Sequence, residues 1–273
     1  MTLRIGHNVE AAGISRNVAA STDRVAVAMQ RLSSGLRINS AADDTAGLSI
    51  SERLRGQIRG LETADRNIQD GMSMLDVIDG ALDAVASILQ RARELAVQFN
   101  NDTNSVTAKN SILQEMIALS DEVGRIAATT EFNGTILLQD SIKVITLQVG
   151  ANAGEQIGIT LVDLFSSTGL VNPATFFTLP WVPADIAGLD THIKDVAAAR
   201  GMFGAISNRL EYARSANQSR QSSMLSAESR IVDTDMAEEM TVLARHQLLQ
   251  QSGMSMLQMN LQSQASILSL LNQ

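Results

Sequence analysis

The sequence predicts a mainly α-helical chain, in which long antiparallel coiled-coil helices from paired N- and C-terminal arms are joined through one β-hairpin and a short irregular tip. Three observations carry that prediction. Aromatic residues make up only 3% of the 273 positions, although apolar residues make up 45%. The core must then be filled by Leu, Ile, Val, Met and Ala, which suits packed helices better than sandwiches or α/β sheets. All three prolines fall between 173 and 183, so the rest of the chain is free of the residue that breaks helices. Apolar positions recur in steps of three and four over most of that remainder, the period of a helix face.

Taken in order, the first helix shows an apolar seam at Ile14, Val18, Val25, Met29, Leu32 and Leu36, including one full heptad. A polar break from Asn39 to Thr45 follows, in which Asp43 and Asp44 are candidate N-caps for the next helix,. There Leu54, Ile58, Leu61, Ile68, Met72, Leu75, Ile78, Leu82, Val85, Leu89 and Leu95 continue the spacing without proline. A helix from about 45 to 99 would be ~80 Å long. Gly56, Gly60, Gly71 and Gly80 lie inside it, each costing about 1 kcal/mol against alanine, and close approach by neighbouring segments is the expected reason. Asn100 to Ser105 turns the chain into a third helix with Ile112, Met116, Leu119, Val123 and Ile126, which stops at Thr129–Thr130 and the turn signal Asn133–Gly134,.

The period then changes to two. Ile145, Leu147 and Val149, then Ile157, Ile159 and Leu161, alternate with polar neighbours around the loop from Gly150 to Glu155, which predicts a β-hairpin. The stretch holding Phe165, Pro173, Phe176, Phe177, Pro180, Trp181 and Pro183 abandons helical grammar and is the expected tip. Past Gly188 the helical pattern resumes at Val196, Phe203, Ile206, Leu210, Ala213, Met224 and Ile231. From Asp233 a last helix carries Met236, Met240, Leu243, Met254, Leu257, Leu261, Leu268 and Leu271.

Charge bears on function. A net charge of −8 disfavours nucleic acid as a partner. Five arginines against two acids leave residues 1–40 at +3, and one arginine against four acids leaves 233–273 at −3, so the two ends attract. After Glu239 the only charged side chain is Arg245, yet Leu, Met and Gln continue to Gln273. A lone helix of that kind would expose a long apolar surface, and one antiparallel partner covers only a stripe of it. The remaining surface is expected to meet other copies of the chain.

Chemistry finds no support. With no cysteine, disulfides, thiolate metal sites and cysteine nucleophiles are excluded. His7, His192 and His246 are far apart and no His-Glu-x-x-His motif occurs,. Gly150–Gly154 leads into a strand and lacks the context of a phosphate cradle, while Asp43–Asp44 and Glu238–Glu239 read as helix-terminal charges. No catalytic residue, metal or cofactor is expected. No run reaches the roughly 20 apolar residues of a membrane span, which also argues against a membrane-inserting translocator, and Met1 to Val9 has no cleaved-signal pattern.

Several separated motifs then resemble those of the bacterial flagellins. RLSSGLRINSAADDTAGLSISERLRGQIRGL runs from Arg31 to Leu61, LQRARELAVQ from Leu89 to Gln98, and Asn101-Asp-Thr-Asn104 follows. LSDEVGRIAATTEFNGTIL runs from Leu119, LQVGANAGEQIGI from Leu147, NRLEYARS from Asn208 and AESRIVDTDMAEEM from Ala227. The order is maintained over roughly 1–161 and 188–273, a far more specific signal than any single motif.

The resemblance implies a structural subunit that polymerises helically into the extracellular filament of the bacterial flagellum, used for swimming. A hook–filament junction adaptor of the same axial family is the alternative. It implies arms 1–42 and 233–273 as an inner coiled-coil domain, a shell domain from 43–162 and 188–232, and a short tip, 163–187, in place of larger outer domains. Implied partners are further copies of the chain, a secretion chaperone on the C-terminal helix, and filament cap and junction proteins, with export by the flagellar type III apparatus. In the family, an axial subunit contact that doubles as an epitope for a host Toll-like receptor uses an Arg, a Leu and a Glu, matched here by Arg91, Leu95 and Glu115. Leu268, Leu270 and Leu271 similarly match leucines read by intracellular sensors, with packing as their primary role. The apolar tip 176–183 is expected to fold onto its own shell, with a contact between neighbouring filament subunits or with a sheath as the alternative. Ser166, Ser167, Thr168, Thr175 and Thr178 read as an ordinary polar loop before they read as sites for O-linked sugars. The opening Met-Thr-Leu-Arg-Ile-Gly departs from the usual start.

Overall fold

The structure is a computed structural model that describes residues 8–139, 143–164, 171 and 185–271. Within them lie five helices: α1 (Val9–Ser34), α2 (Thr45–Phe99), α3 (Val106–Thr129), α4 (Asp185–Val232) and α5 (Met236–Leu271). Four strands form two antiparallel pairs, β1 (Glu131–Phe132) with β2 (Thr135–Ile136) and β3 (Val144–Gln148) with β4 (Gln156–Thr160). The chain is mainly helical, as its periodicity predicts. It divides into two compact units, one of Met1–Gly56 with Ser223–Gln273 and one of Gln57–Ser222. The expected tip and its Phe, Trp and Pro residues lie outside the described residues, apart from Asp163, Leu164, Val171 and the first turn of α4.

Gln57–Ser222 is built on an unbroken heptad row of α2. Leu61, Ala64, Ile68, Leu75, Ile78, Leu82, Val85, Leu89, Ala92 and Ala96 are all buried. Ile112, Met116 and Val123 of α3, and Val196, Phe203, Ile206 and Leu210 of α4, join most of that row in one core. Polar rungs fix α4 antiparallel to α2: Gln221 donates to Glu62 (3.2 Å), Arg214 to Asp65 (3.0 Å), Arg200 to Asp79 (2.8 Å) and Asp83 (2.6 Å), and Arg93 to Asp190 (2.6 Å). At the start of α3, Ser105 Oγ accepts from the Ala108 N–H, a side-chain N-cap. α4 begins at Asp185, so Gly188 sits in its first turn and does not mark its start.

The β3–β4 hairpin pairs Ile145 with Ile159 and Leu147 with Ile157, and β4 buries Ile157 and Ile159 while its alternate residues stay out. Two amides hold the hairpin to the helices. Asn67 donates to the Gln148 carbonyl (3.2 Å) and Asn217 to the Val149 carbonyl (2.6 Å). Close approach explains two of the four glycines named inside α2. A Cβ at Gly60 would lie 2.9 Å from Ala151 Cβ, and one at Gly71 would overlap Leu147 Cδ1, whereas Gly56 and Gly80 have nothing within 4 Å. The two cases make opposite predictions. Gly60→Ala is expected to destabilise by about 1–3 kcal/mol through overpacking, and Gly80→Ala to stabilise by about 0.5–1 kcal/mol. Urea midpoints of the two variants check both signs.

The second strand pair is shorter than any sequence period can reveal. Asn133 (φ 50°) and Gly134 (φ 73°) form its two-residue turn, a left-handed pair that Asn-Gly adopts readily. What reads as a turn in the sequence is therefore a whole small hairpin.

Acid is expected to weaken Gln57–Ser222. The Arg200 hydrogen bond holds the Asp79 carboxyl below the usual carboxylate range. The Asn152 backbone N–H, aided by the Asn152 and Arg220 side chains, does the same for Glu155. A carboxylate lowered by folding stabilises the fold above its unfolded pKa and loses that contribution as the pH drops through the folded value. Unfolding of the chain in urea is therefore expected at lower denaturant at about pH 3 than at about pH 6, with part of that difference removed in Asp79→Asn. Equal midpoints at the two pH values would contradict it.

Candidate functional site

The unit of Met1–Gly56 with Ser223–Gln273 is dominated by α1 and α5. Gly35 ends α1 in the left-handed region (φ 72°), its N–H bonded to the Arg31 carbonyl, which is the usual geometry of a helix C-terminal glycine. The chain then crosses to the other arm. Leu36 and Asp233 form an antiparallel bridge, the Arg37 N–H donates to the Val232 carbonyl (2.6 Å), and the Thr234 N–H donates to the Gly35 carbonyl (3.0 Å). Leu36, expected on the helical seam, therefore belongs to this crossing. Of the two candidate caps, Asp44 accepts from the Gly47 N–H at the start of α2. Asp43 instead closes the loop, accepting from the Asn39 and Ser40 N–H groups, bonds that lower its pKa, with Ser40 the larger contributor. Asp235 caps α5 through the Ala237 and Glu238 N–H groups.

α1 and α5 run antiparallel. Asn8 donates to Asn260 (2.5 Å), Gln250 donates to Thr22 (3.0 Å), and Arg31 pairs with Glu239 (3.6 Å). A Cβ on Gly253 would press on Val18. The covered face of α1 holds Ile14, Val18, Ser21, Val25, Ala28 and Leu32. Four of the expected seam residues are there, but Met29 is 56% exposed and Ala28 takes its place. A step of three or of four from Val25 satisfies the helical period equally well.

On α5 the covered face is a heptad row of mostly polar or small residues, Glu239, Leu243, His246, Gln250, Gly253, Leu257, Asn260 and Gln264, with Val242 half-buried beside it. Of the expected apolar seam, Leu243 and Leu257 face α1, while Met236, Met240, Met254 and Leu261 are exposed. So are Leu248 (67%), Leu249, Met256 and Met259 (64%). At 3.6 residues per turn, Met236, Met240 and Met254 flank the covered row on one side, Leu249 and Met256 on the other, and Leu248 and Met259 lie opposite it. The helix is polar toward its own partner and apolar toward the outside. A groove of about 560 Å³ between the two helices is lined by residues that include Ile14, Val18, Ser21, His246, Leu249 and Gly253. Two buried nitrogens of this unit, Arg31 Nε and His246 Nδ1, have no hydrogen-bond partner among the described residues. The side chains of Leu268, Leu270 and Leu271 lie outside the described residues.

The second candidate site lies in Gln57–Ser222. Arg91 donates from Nε and Nη2 to Glu115 on α3 (3.0 and 2.8 Å) and from Nη1 to Glu94 (3.2 Å). These bonds, with Glu115 the largest contributor, raise the pKa of the guanidinium. Arg91 and Glu115 are half-exposed. Leu95 is not on this surface: it is 1% exposed, within the helical core. The expectation of a three-residue contact patch is corrected to an exposed Arg–Glu pair above a core leucine.

Among the described residues no cluster of His, Asp and Glu could hold a metal, and no helix is long and apolar enough to cross a membrane. Paired helices that turn methionine and leucine outward define a structural, helix-packing class of chain.

The particular family follows from comparison with known proteins. The model of the bacterial flagellin N-terminal helical region matches residues 5–143, and that of the bacterial flagellin C-terminal helical region matches 186–271. A flagellin of Halalkalibacterium halodurans is 43% identical over 264 residues, covering 96% of this chain and 97% of its own. A flagellin of Bacillus subtilis is 37% identical over 303 residues, covering 98% and 100%. The flagellar filament 30.7 kDa core protein of Treponema maltophilum is 35% identical over 276 residues, covering 95% and 97%. The chain belongs to the bacterial flagellin family, a family of structural filament proteins and not of enzymes.

Proposed function

We propose that this chain polymerises with copies of itself into the extracellular filament of a bacterial flagellum. The observation that carries the reading is the outward apolar surface of α5, from Met236 to Leu261. Its flanks and outer side need cover that α1 does not give, and identical subunits packed around a helical axis supply the same cover to every copy. Family membership supports the same reading, as does the name of the Treponema relative, a filament core protein. The arms 1–42 and 233–273 are read as the inner coiled-coil domain, 43–162 and 188–232 as the shell, and 163–187 as a short substitute for outer domains. Export by the flagellar type III apparatus, a chaperone holding α5 before assembly, and cap and junction proteins at the filament ends complete the reading. Arg91 and Glu115 are read as part of the axial contact between subunits, and the host Toll-like receptor as a secondary reader of that surface. Relatives matching nearly the whole chain carry the flagellin name, which favours a propagating filament over a junction adaptor.

Seeded growth tests the reading. Purified chain added to sheared filament fragments is expected to extend them into long filaments seen by electron microscopy. Short closed rings, or seeds that do not lengthen, would contradict it. Arg91→Ala is expected to change the stability of the free chain by no more than about 1 kcal/mol, since the pair is solvent-exposed, while slowing seeded elongation. Unchanged elongation would remove Arg91 from the contact.

A further inference from the structure

Methionine is concentrated where assembly would bury it. Of the chain's twelve methionines, Met29, Met236, Met240, Met254, Met256 and Met259 are all exposed on α1 and α5, each by nearly half or more. In the other unit Met202 is 38% exposed, less than any of these six, while Met74 and Met116 are buried in the core. An exposed thioether is open to two-electron oxidation, and the product is polar where the parent is apolar.

We propose that these six methionines form an oxidation site that decides whether a free chain can assemble, a reading that rests on the filament function above. The oxidant is hydrogen peroxide or another small hydroperoxide. The sulfur lone pair attacks one peroxide oxygen and the O–O bond breaks. Oxygen is transferred to sulfur as the sulfoxide, and the second oxygen leaves, after proton transfer, as water from hydrogen peroxide or as the alcohol from an organic hydroperoxide. Sulfur is oxidised by two electrons and the peroxide is reduced by two.

In the free chain each sulfoxide is solvated and costs the fold little. In a filament it would be buried in a contact packed around an apolar thioether, where a polar group not matched to a donor is costly. Oxidation therefore weakens addition of the chain to a filament end more than it weakens the chain itself. Methionine sulfoxide reductases, which return the thioether, reverse the block. Packing in the filament closes the same sulfurs to peroxide, so the vulnerable form is the unassembled subunit. Met74 and Met116 are the internal controls.

The full chain is treated with hydrogen peroxide, peptide mass spectrometry locates added oxygen, and seeded elongation is followed. The six methionines of α1 and α5 are expected to oxidise well before Met74 and Met116, elongation to fall about tenfold or more from the buried polar groups, and reductase treatment to restore it. A variant with Met→Leu at all six positions, a volume-conserving change, is expected to elongate untreated and to keep that rate after peroxide. In preformed filaments the methionines of α5 are expected to resist. Oxidised chain that elongates at the untreated rate overturns the proposal, and so does a six-leucine variant that stays peroxide-sensitive or exposed methionines that react no faster than the buried pair. Untreated chain and untreated variant that both fail to extend seeds overturn the filament reading, and this proposal with it.

Discussion

Lysine at Met240, Met254 and Leu261 is expected to leave the free chain folded and to stop filament growth. In the free chain all three side chains stand in solvent, where substitutions usually change stability by within about 0.5 kcal/mol each. None belongs to the row of α5 that faces α1, so the contacts from Asn8–Asn260 to Arg31–Glu239 remain available. Within a filament the same positions would hold three ammonium groups in an apolar contact, and those at 254 and 261 lie far along α5 from its last acidic residue, Glu239. An unpaired buried charge costs several kcal/mol, so the three together are expected to lower seeded elongation by more than about a hundredfold. Circular dichroism of the free variant checks the fold and light scattering follows growth. Unchanged growth would show that this face of α5 stays in water.

Phe203→Ala is expected to have the largest effect on stability. Phe203 is the largest of the fully buried side chains and lies on α4 within the core shared with α2 and α3. Its removal loses the transfer free energy of an aromatic ring and leaves a cavity that three long helices cannot collapse into without bending. Such substitutions cost about 3–5 kcal/mol, which for a unit of this size lowers the melting temperature by roughly 10 °C. Thermal unfolding followed at 222 nm measures it. A loss of only a degree or two would mean that the α2–α4 contact is loosely packed there.

The long helices were legible because their period is unbroken: from Leu61 to Ala96, α2 places a buried residue at nearly every third or fourth position, and no proline interrupts it. The β3–β4 hairpin was legible for the same reason at period two. Strands of two residues such as β1 and β2 are shorter than one period, so only their Asn133–Gly134 turn left a trace. At the paired terminal helices, periodicity names a stripe but not what covers it. The apolar spacing of α5 marks residues for packing without dividing them between α1 and other copies; Gln250, Gly253 and Asn260 face α1, and the methionines face out. The missed signal was a second heptad of polar and small residues running through an apolar helix. Small size decided the opposite face as well, since Ala28 lets the helices close where Met29 would hold them apart. Resemblance puts Leu95 in a contact with other molecules, yet it is buried beside the Ala92 and Ala96 row, and its own place in the apolar spacing of α2 points to the core.

Hydroxyl-radical footprinting of Leu248, Leu249 and Leu261, in the free chain and in assembled filaments, tests most directly whether other copies cover the outward face of α5. Reactivity is expected to be high in the free chain and to fall at least about tenfold on assembly, as for side chains that pass from solvent into a packed core. Filaments in which these leucines react as readily as in the free chain would contradict the account.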